Sequence, residues 1–242
     1  MRGIRLLREH ELAFGVLCVL TSQSIDRPDE LFDFFVEEGL SDIAFNVEEI
    51  EGPHLRSSLL DSATGPAQSR PRYRAFMERI AELNRLQGRP LAIREFARQA
   101  QNISARRADP SFVPAVAEQR AGAILTMTRD GLLYTWSPEL ASGLPGSPDR
   151  LALGRIDERT SLDELLDGPQ VRRIQDEIER GVEMCRSRCA YFGVCGGGSP
   201  GNKLYERGTF AATETMKCAL QVQELTEAIL ASSRRKSRLQ YT

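Results

Sequence analysis

The sequence predicts an α/β protein that begins with a βαβ unit and continues into a smaller module of mixed helices and strands. Residues 11–23 form a continuous apolar run that ends in polar turn residues, which is typical of a parallel strand buried on both faces. Residues 26–39 have apolar residues at helical spacing, and residues 41–52 predict a second strand. Strand, helix and strand in this order favour a parallel sheet.

The helix predicted over 26–39 has a start signal and one apolar stripe. Asp26 is a residue type that caps helices, and Leu31, Phe34 and Phe35 recur at helical spacing. We therefore expect Asp26 to cap the helix and these three side chains to form its apolar stripe.

The character of the sequence changes near residue 110, and we place a domain boundary there, between residues 1–110 and residues 111–242. Asp130-Gly131 lies between two β-rich runs, which predicts a hairpin. Ser161 and Glu164 have the spacing of a capping box. The elements expected after the βαβ unit are helices over 72–88 and 91–106, a hairpin over 122–136 and a helix over 160–181.

Composition excludes several classes of protein. Hydrophobic residues make up 41% of the 242 residues, and 32 Lys and Arg nearly balance 34 Asp and Glu, so we expect no nucleic-acid partner. The longest apolar run, residues 12–20, is too short to cross a bilayer, and residues 1–11 lack the pattern of a secretory signal, so we expect no membrane association. These features predict a cytoplasmic protein, in which clustered cysteines bind metal more often than they form disulfides.

The cysteines are concentrated near the end of the chain. Cys185, Cys189 and Cys195 stand beside three consecutive glycines, and Cys218 follows after a gap of 22 residues. Four thiolates suit tetrahedral zinc or an iron–sulfur cluster, and spacing alone leaves both open. A set of unrelated buried thiols is the remaining alternative. Cys18 stands alone in an apolar strand, where we expect a small core residue.

Residues 185–218, CRSRCAYFGVCGGGSPGNKLYERGTFAATETMKC, closely resemble the C-terminal SPASM module of radical SAM peptide maturases. The resemblance is strongest to the cyclophane-forming maturases associated with glycine-rich-repeat precursor peptides, the GrrM type. Other segments resemble the same group in the same order, so the resemblance covers most of the chain: AFNVEEIEGPHLRSSL, LAIREF, TRDGLLYTWSPEL and LALGRIDERTSLDEL.

The resemblance implies both a fold and a chemistry. Residues 1–110 would be the C-terminal part of a partial (β/α) barrel, and residues 111–242 a small α+β SPASM module with a C-terminal helix. Members of the family cleave SAM to a 5′-deoxyadenosyl radical, which abstracts hydrogen from a ribosomally made precursor peptide, and this subgroup cross-links side chains. The ligands of one auxiliary [4Fe-4S] cluster are matched by Cys185, Cys189, Cys195 and Cys218.

The chain departs from the family pattern in two places. Ser199 stands where two-cluster members have a further cysteine, which implies a single auxiliary cluster. No CxxxCxxC triplet, the pattern that holds the SAM-binding cluster, occurs in the sequence. We therefore expect SAM and its cluster to belong to a missing N-terminal half, for example on another chain, and expect no activity from this chain alone. Whether the chain is itself an enzyme stays open.

Two polar features complete the candidate site. Glu48, Glu49 and Glu51 lie at the end of the second predicted strand, which faces the active site in α/β barrels, and Glu48 and Glu49 are candidates for contact with SAM or peptide. A solvated loop start is the alternative for both. Lys203 and Glu206 are expected to form a structural pair beside the cysteines.

Three functions remain open from the sequence. The first is a component of a radical SAM peptide maturase that holds one auxiliary cluster. The second is a non-catalytic iron–sulfur protein that binds peptide or transfers electrons. The third is a structural domain stapled by zinc.

Overall fold

The computed structural model describes residues 2–60, 65–142 and 151–239. These residues form two compact units that alternate along the chain. The first unit contains residues up to 48, residues 58–103 and the residues from 220 on, and the second contains residues 49–57 and 104–219.

The helices and strands follow one another in a mixed order. In chain order they are α1 (Arg2–Glu9), β1 (Val16–Leu20), α2 (Pro28–Glu37), β2 (Asp42–Val47), α3 (Ser69–Leu86), β3 (Ala92–Ile93), α4 (Arg94–Ala108), β4 (Leu125–Met127), β5 (Leu132–Thr135), β6 (Gly154–Arg155), α5 (Leu162–Leu166), α6 (Pro169–Arg188), α7 (Phe192–Cys195), α8 (Pro200–Arg207) and α9 (Leu225–Leu239).

The first unit is built on a parallel sheet, as the βαβ pattern predicts. The strand order is β1-β2-β3, and Cys18 of β1 lies opposite Phe45 of β2. Phe45 is fully buried and packs edge to face against Phe35 of α2 and Phe76 of α3, with ring centroids 5.9 and 5.2 Å apart. This row of aromatic rings joins the sheet to the two helices and forms the centre of the core.

The start and the buried face of α2 differ from the prediction. Phe32 and Phe35 are the buried side chains of this helix, whereas Phe34 is 38% exposed. Asp26 does not cap the helix, because its carboxylate accepts hydrogen bonds of 2.9 and 2.6 Å from the guanidinium of Arg72 on α3. A contact across 46 residues therefore replaces the local cap.

The prediction that the first strand is buried on both faces is wrong. β1 pairs only with β2 among the described strands, so its other edge is unpaired. Leu20 is buried, but Leu17 and Val19 on the opposite face are 53% and 49% exposed. Alternate residues of a strand point to opposite faces, and here only one face is covered.

The second unit contains an antiparallel sheet of order β4-β5-β6. The hairpin predicted around Asp130-Gly131 is confirmed, since Leu125 pairs with Thr135 and Met127 with Leu133. Against this sheet lies an apolar cluster in which Trp136 meets Phe210 edge to face at 5.5 Å.

The helix predicted over 160–181 is two helices. Ser161 and Glu164 form the predicted capping box at the start of α5, and α6 begins after Gly168 with Pro169 in its first turn. α6 is the longest helix of the second unit, and it carries Cys185 in its last turn. None of the described helices is long and apolar enough to span a membrane.

The exposed face of β1 should cause the isolated chain to self-associate. An unpaired strand edge beside exposed leucine and valine favours pairing with another chain. We expect concentration-dependent association by analytical ultracentrifugation, and a monomer for Leu17→Lys/Val19→Lys. Leu86→Lys is the matched control, because Leu86 is 61% exposed and ends α3 instead of lying in a strand. A wild-type chain that stays monomeric at all concentrations contradicts this expectation.

Candidate metal centre

Four cysteines from three separate segments line one cavity of the second unit. Cys185 lies in the last turn of α6, Cys189 directly follows that helix, Cys195 ends α7 and Cys218 begins a π-helical segment. These are the four cysteines that the sequence singles out. The remaining cysteine, Cys18, lies in β1 of the first unit, where burial raises its pKa.

The end of α6 places the first two cysteines on the cavity. The amide of Cys189 donates to the carbonyl of Cys185 at 2.9 Å, and Cys189 itself has extended backbone angles that end the helix. The chain therefore turns away at Cys189 while both side chains still face the cavity.

A glycine turn forms the wall beside Cys195. Gly196, Gly197 and Gly198 have φ values of 74°, 101° and 71°, a left-handed region that other residues rarely adopt. A Cβ atom on Gly196 would lie 2.2 Å from the carbonyl oxygen of Pro114. The side-chain amide of Gln119 donates to the carbonyls of Gly196 and Gly198 at 2.8 and 2.9 Å, which holds the turn in place.

Burial favours the neutral form of the cysteine thiols, whereas nearby hydrogen-bond donors favour the thiolates. Burial raises the pKa of Cys195, and hydrogen bonds from the amides of Gly197 and Gly198 partly oppose this increase. Burial likewise raises the pKa of Cys185, and the ammonium of Lys203 opposes it. The surroundings thus supply donors to the anionic form of both sulfurs, which is the form that binds metal.

The donor set fits a soft metal centre. Four thiols with glycine amides beside them suit an iron–sulfur cluster or zinc, and both bind thiolates. Within residues 2–60, 65–142 and 151–239, no group of three or more His, Cys, Asp or Glu side chains is arranged to hold a single metal ion.

Lys203 contacts the cysteine site and does not form the expected pair with Glu206. Its Nζ donates to the carbonyl of Gly181 at 3.1 Å and to Sγ of Cys185 at 3.6 Å, and the side chain lines the cavity. Glu206 accepts a hydrogen bond of 2.6 Å from the amide of Met216. The three-residue spacing predicted a local pair, but both side chains have partners distant in sequence.

Glu48 lies at the carboxyl end of β2, as its place in the sequence predicts. Its carboxylate accepts hydrogen bonds of 2.6 Å from both the amide and the hydroxyl of Ser58. The Ser58 hydroxyl also accepts from the amide of Ser22, which follows β1. In the first unit, Glu48 therefore ties a loop to the carboxyl edge of the sheet, where ligands of α/β proteins bind.

Glu49 belongs to the second unit and is held by two groups there. Asn202 donates to its carboxylate at 2.5 Å, and Nζ of Lys217 lies 2.9 Å from it. Asn202 immediately precedes Lys203, and Lys217 immediately precedes Cys218. Glu49 thus connects α8 to the segment that supplies the fourth cysteine.

Glu51, the third carboxyl at the end of the second predicted strand, is half-buried among other carboxylates. Burial, together with the nearby carboxylates of Glu49 and Glu139, raises the pKa of Glu51 to about 7, although the ammonium of Lys217 opposes the increase. The hydroxyl of Ser137 donates to Glu51 at 3.5 Å. A carboxyl with a pKa near neutral can both take up and release a proton at physiological pH.

The structural comparison identifies the type of fold. The chain is similar to the solved structure of native anSMEcpe with bound AdoMet, with a TM-score of 0.64 and 19% identity over 98% of this chain and 60% of that one. It is similar to native anSMEcpe with bound AdoMet and Kp18Cys peptide, with a TM-score of 0.61 and 17% identity over 98% and 61% of the two chains. The fold of the chain is therefore that of anSMEcpe over the aligned region. It comprises the C-terminal part of a partial (β/α) barrel and a small α+β module.

The sequence comparison gives one curated relative and no family model. The chain is 34% identical over 231 residues to the uncharacterized protein sll1766 of Synechocystis sp. (strain ATCC 27184 / PCC 6803 / Kazusa), which covers 95% of this chain and 55% of that protein. No family model matches the chain. The chain therefore spans little more than half the length of this relative.

Glu51→Gln should stabilise the chain above pH 7 and leave its stability almost unchanged near pH 5. The unfolded chain releases this proton near the ordinary pKa of 4.5, whereas the folded chain holds it to about pH 7, so wild-type stability falls as the pH rises between these values. Partial exposure screens the effect, and we expect a gain of about 1 kcal/mol at pH 8 by urea denaturation. Glu158→Gln, at an exposed position, is the control for the loss of one charge. An equal gain in both variants, or no gain at pH 8, contradicts the assignment.

Proposed function

We propose that this chain is the C-terminal component of a radical SAM/SPASM maturase that cross-links side chains of a ribosomally made peptide in the cytoplasm. In this proposal it holds one auxiliary [4Fe-4S] cluster, whose ligands are Cys185, Cys189, Cys195 and Cys218. The observation that carries the proposal is that these four thiols, from three separate segments, line one cavity of the second unit.

The fold supports the same conclusion. Solved structures with this fold contain AdoMet, and two of them also contain a peptide, Kp18Cys or Cp18Cys. The resemblance of residues 185–218 to maturases of glycine-rich-repeat precursors supports a peptide substrate and a cross-linked product. Glu48, at the carboxyl edge of the first sheet, and Glu49, beside the cysteine segments, are proposed to face SAM or peptide.

The residues of this chain have distinct tasks in the proposed centre. A cluster bound to the four cysteines would supply one-electron transfer. The amides of Gly197 and Gly198 donate to the sulfur of Cys195, and Lys203 donates to that of Cys185, so both thiolates are stabilised from the protein side. Gln119 holds the glycine turn that directs these amides.

SAM cleavage requires groups that this sequence does not supply. An iron that binds SAM must keep a coordination position free of protein ligands, whereas four cysteines on four irons leave none. The sequence contains five cysteines and no CxxxCxxC triplet. We therefore propose that a CxxxCxxC polypeptide, in the same system but outside this sequence, provides the SAM-binding cluster.

Reconstitution with iron and sulfide under anaerobic conditions should give a brown protein with about four irons per chain. Cys218→Ala should lower both the iron content and the thermal stability, because Cys218 lies 23 residues beyond Cys195 and ties the π-helical segment to the metal. Iron, sulfide and zinc content, visible absorbance and thermal unfolding measure these effects.

Cys18→Ala is the matched control for this experiment, because Cys18 lies in β1 of the first unit. It should keep the wild-type iron content. Stoichiometric zinc without visible absorbance would contradict the cluster and indicate instead a structural domain stapled by zinc. Equal iron loss in the Cys18 and Cys218 variants would contradict the ligand assignment.

The reconstituted chain alone should bind SAM weakly and release no 5′-deoxyadenosine with dithionite. Addition of a polypeptide that carries the CxxxCxxC half of a family member should restore cleavage, as measured by product chromatography. Repeated turnover by this chain alone would overturn the assignment of all four cysteines to one cluster. An iron-loaded chain that never supports cleavage with the added half would favour a non-catalytic iron–sulfur protein.

A further inference from the structure

Lys203 is a buried cation beside the proposed metal ligands. It lies on α8, directly after the glycine turn, and only 3% of it is exposed. Lysine is rarely buried without a partner, because removal of an ammonium from water costs several kcal/mol or more. The contacts of its Nζ therefore indicate what offsets that cost.

These contacts are both on one face of α6. Nζ donates to the carbonyl of Gly181 at 3.1 Å and to Sγ of Cys185 at 3.6 Å. Gly181 and Cys185 are four residues apart, so Lys203 spans one turn of α6 beside the cavity. Lys203 forms no ion pair with a carboxylate of the described residues, and the thiol of Cys185 is a group in contact with its Nζ that can become anionic.

A matched lysine in the same unit shows the contrast. Lys217 also stands near a cysteine in sequence, but its side chain is 35% exposed and pairs with the carboxylate of Glu49 at 2.9 Å. Lys217 thus has a carboxylate partner and contact with water. The partners of Lys203 are instead a neutral carbonyl and a sulfur.

We infer that Lys203 is the charge-compensating residue of the cysteine centre, and that its ammonium stabilises the negative charge of the metal-bound thiolates through Cys185. This inference rests on the proposed function, since it requires a metal on the four cysteines. A centre of four thiolates is anionic whether the metal is an iron–sulfur cluster or zinc, so the compensating role holds for either.

If the centre is an iron–sulfur cluster, the positive charge of Lys203 should shift its reduction potential in one direction. The reduced form carries one more negative charge than the oxidised form, so a buried cation near a ligand sulfur favours reduction and raises the potential. Lys203 acts through Cys185 and is therefore a positioning residue rather than a catalytic one.

The test uses the full chain, reconstituted with iron and sulfide, in four variants. Lys203→Met removes the charge with little change of shape, Lys203→Gln keeps a hydrogen-bond donor without charge, and Lys203→Arg keeps the charge. Arg155→Met is the control for the loss of a positive charge elsewhere in the unit, because Arg155 lies on β6, is 48% exposed and pairs with Asp130. The measurements are the rate of metal loss to a chelator, the midpoint potential by spectroscopic titration, and thermal unfolding without metal.

We expect Lys203→Met and Lys203→Gln to lose metal about tenfold faster than wild type and to have a more negative potential. Lys203→Arg should restore much of both properties, and Arg155→Met should stay close to wild type. Unchanged metal retention and potential in Lys203→Gln, or an equal change in Arg155→Met, would overturn the inference. If Lys203→Met does not fold, the Gln and Arg variants decide the outcome.

Failure of the proposed function is distinguishable from failure of this inference. A wild-type chain that takes up only zinc has no potential to measure and refutes the cluster. Metal loss to the chelator then still tests Lys203: faster zinc loss from Lys203→Gln than from Arg155→Met supports the inference, and equal loss refutes it.

Discussion

The turn at Gly196–Gly198 is the local constraint on which the cysteine site depends, since it determines where three other features lie. Its left-handed backbone aims two amides at the sulfur of Cys195 and starts α8 immediately afterwards. A Cβ atom at Gly196 would meet the carbonyl of Pro114 at 2.2 Å, and Gln119 ties both ends of the turn. Glycine is required here by geometry as well as by backbone conformation. The turn also places α8 so that Lys203, the fourth residue of that helix, contacts α6.

Glu51 and Lys203 are two ionisable side chains of the second unit that are shielded from water, and their surroundings favour different charge states. Glu51 lies among other carboxylates, and its raised pKa keeps it protonated up to about pH 7. Lys203 instead lies against a carbonyl and a sulfur. A half-buried carboxyl among other carboxylates favours its neutral form, whereas a cation beside a thiol favours the thiolate. The first arrangement provides a proton carrier near neutral pH, and the second prepares an anionic metal site.

Much of the fold can be predicted from the sequence, because hydrophobic period and turn residues are local signals. The βαβ unit, the Asp130-Gly131 hairpin and the Ser161–Glu164 capping box are all present in the structure. The errors occur where long-range contacts compete with local ones. Asp26 is drawn away from the helix end by Arg72, and Phe34 is exposed although it lies at helical spacing. Neither the contact of Asp26 with Arg72 nor the exposure of Phe34 can be identified from the neighbouring residues in the sequence.

The sequence by itself determined the residue types of the candidate site and their order. The spacing of the cysteines and glycines led to the same four thiols that the structure gathers around one cavity. Only the tertiary structure decided which charges are neighbours. Lys203 lines the cavity and contacts Cys185 rather than Glu206, and elsewhere in the second unit Glu51 lies near Glu49 and Glu139. A residue's partners depend on what lies opposite it in space, whereas a sequence pattern specifies only what lies beside it in the chain.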